Sequence, residues 1–397
     1  MSVRIIIGKN FGDEGKGLAA DFFAMNSQGT AICVRHNGGA QAGHTVDRPD
    51  RRFVFSQLSS ASFRGVDTYW ADSFMPDLFK LADETDSFRS MNTFVPAIFA
   101  SEKCRCTYIG DVLINMILET SRGDKRHGSC GMGINEAAVR SDSFPLYLGD
   151  ISGNSAEKLY HRLRAIQKEY LPLRLENLAV DSGKYGEYGD MLWSEDVLYN
   201  AAEAMCRNAE YVQIMPQSFI SRFDNIIFEG AQGLMLDELN LEYAPHLTSS
   251  RTGLYEPARI LREIYGEDAR IPHTEAVYVT RSYVTRHGAG KLPHEGLLDP
   301  ENFGITDRTN VTNEWQGSLR FAPHGDAGEF TAQVCRDISE TGLPADISLF
   351  VTHLNKSGGK LITKNGMADI EKYIDHELFG GKVYTSSSMF SEDVKVK

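Results

Sequence analysis

The sequence predicts an α/β fold, a mostly parallel central sheet flanked by helices with loop and small-subdomain insertions. Three observations predict it. Short apolar, β-branched runs recur at residues 4–7, 31–35, 225–228, 276–279 and 347–352. Helical patterns at 18–25, 156–170 and 194–208 lie between several of them, and strands alternating with helices favour a parallel sheet covered on both faces. The runs at 4–7 and 225–228 each end in a polar glycine loop, and ligands of open parallel sheets sit at that carboxyl edge.

The whole chain suits one such domain. It has 397 residues, 42% hydrophobic and 24% charged, with no repeat, low-complexity tract or Pro/Ser-rich linker to divide 1–397. No apolar run approaches the ~18–20 residues of a membrane helix. The start, Met-Ser-Val-Arg-Ile-Ile-Ile-Gly, reads as a first core strand and not as a signal peptide. A net charge of −13 argues against general affinity for nucleic acid, because a phosphate backbone demands excess Lys and Arg. It leaves room for a local basic pocket. The six cysteines, Cys33, Cys104, Cys106, Cys130, Cys206 and Cys335, form no C-x-x-C and no zinc spacing. They read as reduced thiols of a cytoplasmic protein.

The first element is the most informative. Ile5-Ile-Ile-Gly8 runs into Lys-Asn-Phe-Gly12-Asp-Glu-Gly-Lys-Gly17, and a helix follows. This is a P-loop-like order: glycines let backbone N–H groups approach phosphate, and the helix start favours negative charge. The common pattern is G-x-x-x-x-G-K-[ST] with a hydroxyl on magnesium, but Gly17 stands where that hydroxyl belongs. The loop instead carries Asp13, and an acid inside a phosphate cradle suggests chemistry. The plainer reading of Asp13 and Glu14 is as acids favoured by the helix dipole.

The later elements add loops at the same edge. Gly38-Gly-Ala-Gln41-Ala-Gly-His44-Thr45 follows the second run; it is either a turn with a surface histidine or part of a site. Gly128-Ser129-Cys-Gly-Met-Gly133 is a flexible, donor-rich loop. Asn225-Ile-Ile-Phe-Glu229-Gly-Ala-Gln232-Gly233 repeats the logic of the first strand, so 8–17 and 229–233 are expected to converge on one pocket. Thr248-Ser-Ser-Arg-Thr-Gly253 suits phosphate or carboxylate, and equally a helix cap. Arg281, Arg286 and Arg320 are candidate anion clamps, and the polar stretch 306–324 has the length of a lid.

Gly12-Asp-Glu-Gly-Lys-Gly17, Gly38-Gly-x-x-Ala-Gly-His-Thr45, Phe228-Glu-Gly-Ala-Gln-Gly233 and Leu247-Thr-Ser-Ser250 occur in that order. Together they resemble the adenylosuccinate synthetase family, including phage relatives that make 2-aminoadenine nucleotides, over residues 5 to about 388. The resemblance implies a ligase that phosphorylates the 6-oxygen of a purine nucleotide and lets the amine of L-aspartate displace the phosphate. It implies Asp13 as the base at N1, His44 as the proton donor near O6, and Lys16 with Mg²⁺ on the transferring phosphoryl group. Asp13 and the Gly43 carbonyl match the metal ligands. The loop residues Gly12, Glu14, Gly15 and Gly17 would hold nucleotide phosphate. Gln41, Gln232 and Thr248 would contact the purine nucleotide, and Ser129 its phosphate. Arg140 matches an arginine that reaches this phosphate from a second subunit, which implies a homodimer. His353, Asn355 and Ser386 would meet the nucleoside triphosphate.

Departures from the family pattern bear on substrate. Ala40-Gln41 replaces His-Asn, so Gln41 brings a longer amide. The aspartate loop has fewer arginines; Arg320 matches the carboxylate clamp, with Thr309, Asn310 and Thr312 as partners and Arg286 as a recruit. Where the family selects GTP with Lys-Leu-Asp, this chain has His353-Leu354-Asn355. An amide offers an NH₂ that suits adenine, which leans the energy source to ATP or dATP. The phage enzymes typically have a smaller residue at the Asp13 position, so retained Asp13 places IMP slightly ahead of GMP or dGMP. Two rival readings remain: another nucleotide-dependent kinase or amidoligase, or a silent nucleotide-binding protein. The joint presence of Asp13, Lys16, His44 and Gln232 favours the ligase. The expected partners are the monophosphate, the triphosphate and aspartate, with no nucleic acid and no membrane.

Overall fold

The computed structural model of the chain describes residues 1–92, 94–123, 131–306 and 318–397. Its organising element is the first strand, Ser2–Gly8, whose side chains alternate between two cores. Val3, Ile5 and Ile7 pack on one face with Tyr278, Leu349 and the helix residues Leu261 and Phe330. Ile6 packs on the other with Phe22 and Phe23 of helix Lys16–Met25. All four strand residues are fully buried, which is why the run is continuously apolar and not alternating.

Among the described residues the main sheet has ten strands. From one edge they are Lys395–Val396, Val383–Thr385, Asp346–Thr352, Thr274–Arg281, Ser2–Gly8, Asn225–Gly233, Ala31–Arg35, Asp67–Trp70, Ile98–Ala100 and Val212–Ile214. Every neighbouring pair is parallel except the first, at the edge. Ile5 lies opposite Phe228 on one side and Ala276 on the other. The loops that leave these three central strands therefore open at one edge of the sheet.

The predicted segments sit close to the observed ones, and the differences have local causes. The first helix begins at Lys16 and not at residue 18, so the loop lysine belongs to its first turn. The pattern at 194–208 starts as helix at Glu195, because Ser194 is its cap and accepts a hydrogen bond from the Val197 amide at 3.3 Å. The strand from Asn225 runs on through the glycine loop to Gly233, because Gly233 still pairs with Gly8 across an irregularity in the register. A helical block is inserted between Ile98–Ala100 and Val212–Ile214. Its core of Leu113, Ile117, Leu163 and Met205 packs against Phe53, Phe55 and Trp70.

Cys33, Cys104, Cys106, Cys206 and Cys335 are free thiols. Among the described residues no helix is long and apolar enough to cross a membrane.

Candidate active site

The phosphate-type loop is pinned from within and from the neighbouring strands. Gly12, Asp13 and Gly15 take left-handed backbone angles (φ 102°, 60° and 103°). The Glu14 carboxylate turns back into the loop: its Oε1 accepts the amides of Asn10 (2.8 Å) and Gly12 (3.0 Å), and its Oε2 faces Lys16 Nζ at 3.1 Å. From outside, Thr352 Oγ1 donates to the Glu14 carbonyl (2.7 Å), Thr285 Oγ1 to that of Gly12 (3.1 Å) and Arg281 Nε to that of Asp13. The missing hydroxyl at position 17 has a steric cause. A Cβ on Gly17 would stand 2.9 Å from the Thr45 carbonyl and 3.1 Å from Ser60 Oγ, so a serine or threonine has no space beside the hairpin His44–Asp47/Arg52–Phe55.

His44 begins that hairpin and is oriented by Glu229, from the central strand. Its Nδ1 lies 2.7 Å from Glu229 Oε1. Glu229 is wholly buried and also accepts the Ser60 amide (3.0 Å) and hydroxyl. Burial opposes its ionisation, but His44, Arg35 and Ser60 outweigh that and hold its carboxyl down at about 2. Burial pushes His44 below the usual histidine range against the pull of Glu229. At neutral pH the pair is therefore an anionic Glu229 and a neutral ring that donates from Nδ1, and Nε2 is the nitrogen left for chemistry.

These groups line one cavity of about 780 Å³ at the carboxyl edge of the sheet. Asp13, Lys16 and His44 line it, as do Gly12, Glu14, Gly15 and Gly17 of the loop. Gln41, Gly43, Gln232 and Thr248 line the same space, and so do His353 and Asn355 from the turn after Asp346–Thr352. Arg286 enters from strand Val284–Arg286. Its guanidinium lies over Phe11 and donates to the carbonyls of Lys291 (2.6 Å) and His246 (3.1 Å); Nε is buried without a partner among the described residues. Burial and the neighbouring Arg320 pull its pKa down to about 10.

Four expectations are corrected by the geometry. Arg140 is turned into its own chain. It is fully buried and donates to Asp111 (2.8 Å, twice), the Cys106 carbonyl (2.9 Å) and the Phe144 carbonyl (2.7 Å), because helix Ile134–Ser141 turns it inward. Ser386 is buried and its hydroxyl donates to the Ser388 carbonyl, so Ser388 and Met389 line the cavity in its place. Arg320 pairs across the hairpin with Arg286, but its guanidinium is held by Glu295 and the carbonyls of Gly288 and Gly290, all at 2.8 Å. Glu14 lines the cavity, but its carboxylate serves the loop itself. Ser129, Thr309, Asn310 and Thr312 lie outside the described residues.

Sequence reading missed the Glu229 partnership with His44. It also missed His287, whose Nε2 stands 3.6 Å from Asp13 Oδ2. The FEGAQG motif was the signal for the first; the second has none beyond its place after Arg286.

The donor set fits a magnesium ion held mainly by phosphate. Among the described residues no group of three His, Cys, Asp or Glu side chains could cage a metal. The partly exposed carboxylate of Asp13 lines the cavity together with Gly43. Mg²⁺ is commonly bound in this way, through one or two carboxylates, water and substrate phosphate.

A protein-family model described as adenylosuccinate synthetase matches residues 5–315. The adenylosuccinate synthetase of Azobacteroides pseudotrichonymphae is 29% identical over 348 residues, 81% of this chain and 72% of that protein. That of Lactobacillus johnsonii is 27% identical over 81% of this chain and 71% of its own. Among solved structures, the fully ligated adenylosuccinate synthetase from Plasmodium falciparum aligns with a TM-score of 0.71 at 16% identity, covering 100% of this chain and 99% of that one. A cyanophage S-2L succinoaminodeoxyadenylate synthetase, bound to dGMP and to dATP as an energy donor, aligns with a TM-score of 0.61 at 15% identity, covering 99% and 95%.

Proposed function

The chain belongs to the adenylosuccinate synthetase family of carbon–nitrogen ligases, and on that premise we propose that it joins L-aspartate to C6 of a 6-oxopurine nucleotide, IMP ahead of dGMP or GMP, with hydrolysis of ATP or dATP. The observation that carries this reading is the meeting of Asp13, Lys16 and the Glu229-held His44 in one cavity.

A 6-oxo group is a poor leaving group and must be activated. The Asp13 carboxylate takes the N1 proton and gives O6 the charge to attack the γ-phosphorus of the triphosphate. Lys16 and the amides at the start of the helix hold the phosphates. Bound through Asp13 and the Gly43 carbonyl, Mg²⁺ would neutralise charge on the transferring group. His44 can donate from Nε2 only as imidazolium. A phosphoryl oxygen brought against Nε2 adds to the pull of Glu229 and favours that form. The aspartate amine then bonds to C6 and inorganic phosphate leaves with the former O6. Arg286, which lines the cavity, would receive an aspartate carboxylate.

Asn355 supports an adenine triphosphate. It is exposed on the turn Leu354–Lys356 at the cavity wall, and its amide can both give and accept a hydrogen bond. The reading with dGMP rests on the likeness to the cyanophage enzyme bound to dGMP and dATP. Positional labelling tests the route. IMP carrying ¹⁸O at the 6-position is expected to deliver its label to the released phosphate. Label that stays in the purine, or is lost to water, contradicts activation through O6.

A further inference from the structure

Lys9 lies beside the phosphate loop, yet neither the sequence motifs nor the proposed chemistry uses it. It follows Gly8, and its side chain is only 2% exposed. Its ammonium sits 3.7 Å from the centre of the Phe330 ring, and its hydrogen bond to Asn10 Oδ1 is long, at 3.5 Å. Burial pulls its pKa down to about 7, while the charge of Glu14 pulls the other way. His324, the other titratable group that senses this ammonium, is no counter-ion. Burial and Lys9 hold it neutral, with a pKa of about 3, and it meets the Arg281 carbonyl through Nε2 at 2.9 Å. Glu14 is the anion whose charge acts on Lys9.

Glu14 has a second cation. Its Oε1 is occupied by the amides of Asn10 and Gly12, and its Oε2 by Lys16 at 3.1 Å. Glu14 and Lys16 are 1% and 3% exposed. They sit tightly over the strand tip, where a Cβ on Gly8 would stand 2.5 Å from Glu14 Oε2 and 2.8 Å from Lys16 Nζ. A triphosphate needs Lys16, and drawing Lys16 away leaves a buried carboxylate with one cation fewer. Separating a buried ion pair in this way is strongly unfavourable unless other charge compensates. Phe330 and Asn10 hold the Lys9 ammonium, and Asn10 is also the residue whose amide meets the Glu14 carboxylate.

We propose that Lys9 is a positioning residue of the triphosphate site: it keeps Glu14 compensated while the phosphates take Lys16. Glu14 is then the internal counter-ion that the two lysines share, and it stays on the amides of Asn10 and Gly12 throughout. The inference rests on reading residues 8–17 as the triphosphate cradle.

A double-mutant cycle on the full chain tests it. The affinities of MgATP and of magnesium tripolyphosphate are measured by calorimetry for the wild type, Lys9→Met, Glu14→Gln and the double variant. Lys9→Gln serves as a second neutral variant should the first not fold. Glutamine at position 14 can keep Oε1 on both amides while removing the charge. Neutralising Lys9 is expected to weaken both probes by about tenfold, the size of one medium-range charge pair at an effective dielectric of about 20. In the Glu14→Gln background the same change is expected to alter affinity less than about twofold, because no buried carboxylate is left to compensate. Equal weakening in both backgrounds shows a merely structural role and overturns the proposal, as does no weakening in either. A wild type that binds neither probe overturns the cradle and this proposal together. A chain that shows the coupling but forms no carbon–nitrogen bond contradicts the ligase reading alone.

Discussion

At the scale of single residues, the site depends on two carboxylates in opposite surroundings. Asp13 is a quarter exposed and faces the cavity, whereas Glu229 is sealed behind His44 and stays ionised to a pH of about 2. Asp13→Asn is expected to lower turnover by about 10²–10⁴-fold, the usual weight of a positioned acid–base group, and initial rates check it. Glu229→Gln is expected to lower kcat by about 10²-fold with little change in KM, because it removes the support for the His44 imidazolium without touching substrate. Asn355→Asp is expected to raise turnover with GTP relative to ATP, since a carboxylate accepts two guanine N–H groups; initial rates at equal triphosphate concentration check it. Asp13, Lys16 and His44 were legible because each lies in a local motif with its glycines. The Glu229–His44 contact spans 185 positions, and no spacing rule reaches that far. Arg140 misled for the converse reason: a suitable arginine at a loosely matched spacing was turned inward by its own helix.

At the scale of elements, the strand–loop–helix unit explains its own irregular motif. The hairpin that brings His44 to the site packs against the start of helix Lys16–Met25 and leaves no room for a side chain at Gly17. Gly17→Ser, which restores the commoner loop pattern, is expected to reduce activity and to destabilise the fold by about 1–3 kcal/mol through overpacking. Thermal unfolding beside initial rates checks both effects. The five predicted strand runs all lie within strands of the sheet, because residues buried on both faces leave an apolar run that is hard to misread. The three predicted helices also formed, displaced by at most two residues at their starts. The loop order that brings 8–17, 41–45 and 229–233 together followed from Ser2–Gly8, Asn225–Gly233 and Ala31–Arg35 being adjacent and parallel. The inserted helical core was less legible, since its helices pack on each other and on strand ends distant in sequence.

At the scale of the molecule, the central position of Ser2–Gly8 lets loops from both halves of the chain meet in one cavity. Arg140 belongs to this architecture. Its ion pair with Asp111 is fully buried, and Arg140→Leu leaves that carboxylate alone, at an expected cost of about 3–5 kcal/mol. A lower midpoint in denaturant unfolding is the readout, whereas a selective rise in the KM for the monophosphate would return Arg140 to the site. The homodimer that the family resemblance implies is a proposal that sedimentation equilibrium tests, with twice the chain mass expected. The most direct test of the whole account is product analysis by mass spectrometry. The enzyme with Mg²⁺, ATP and L-aspartate is offered IMP, and in parallel dGMP. The account expects a purine monophosphate carrying a succinyl group at N6, in one-to-one amount with ADP and inorganic phosphate. Phosphate release with no nucleotide–aspartate adduct, or no product from either purine, would contradict it.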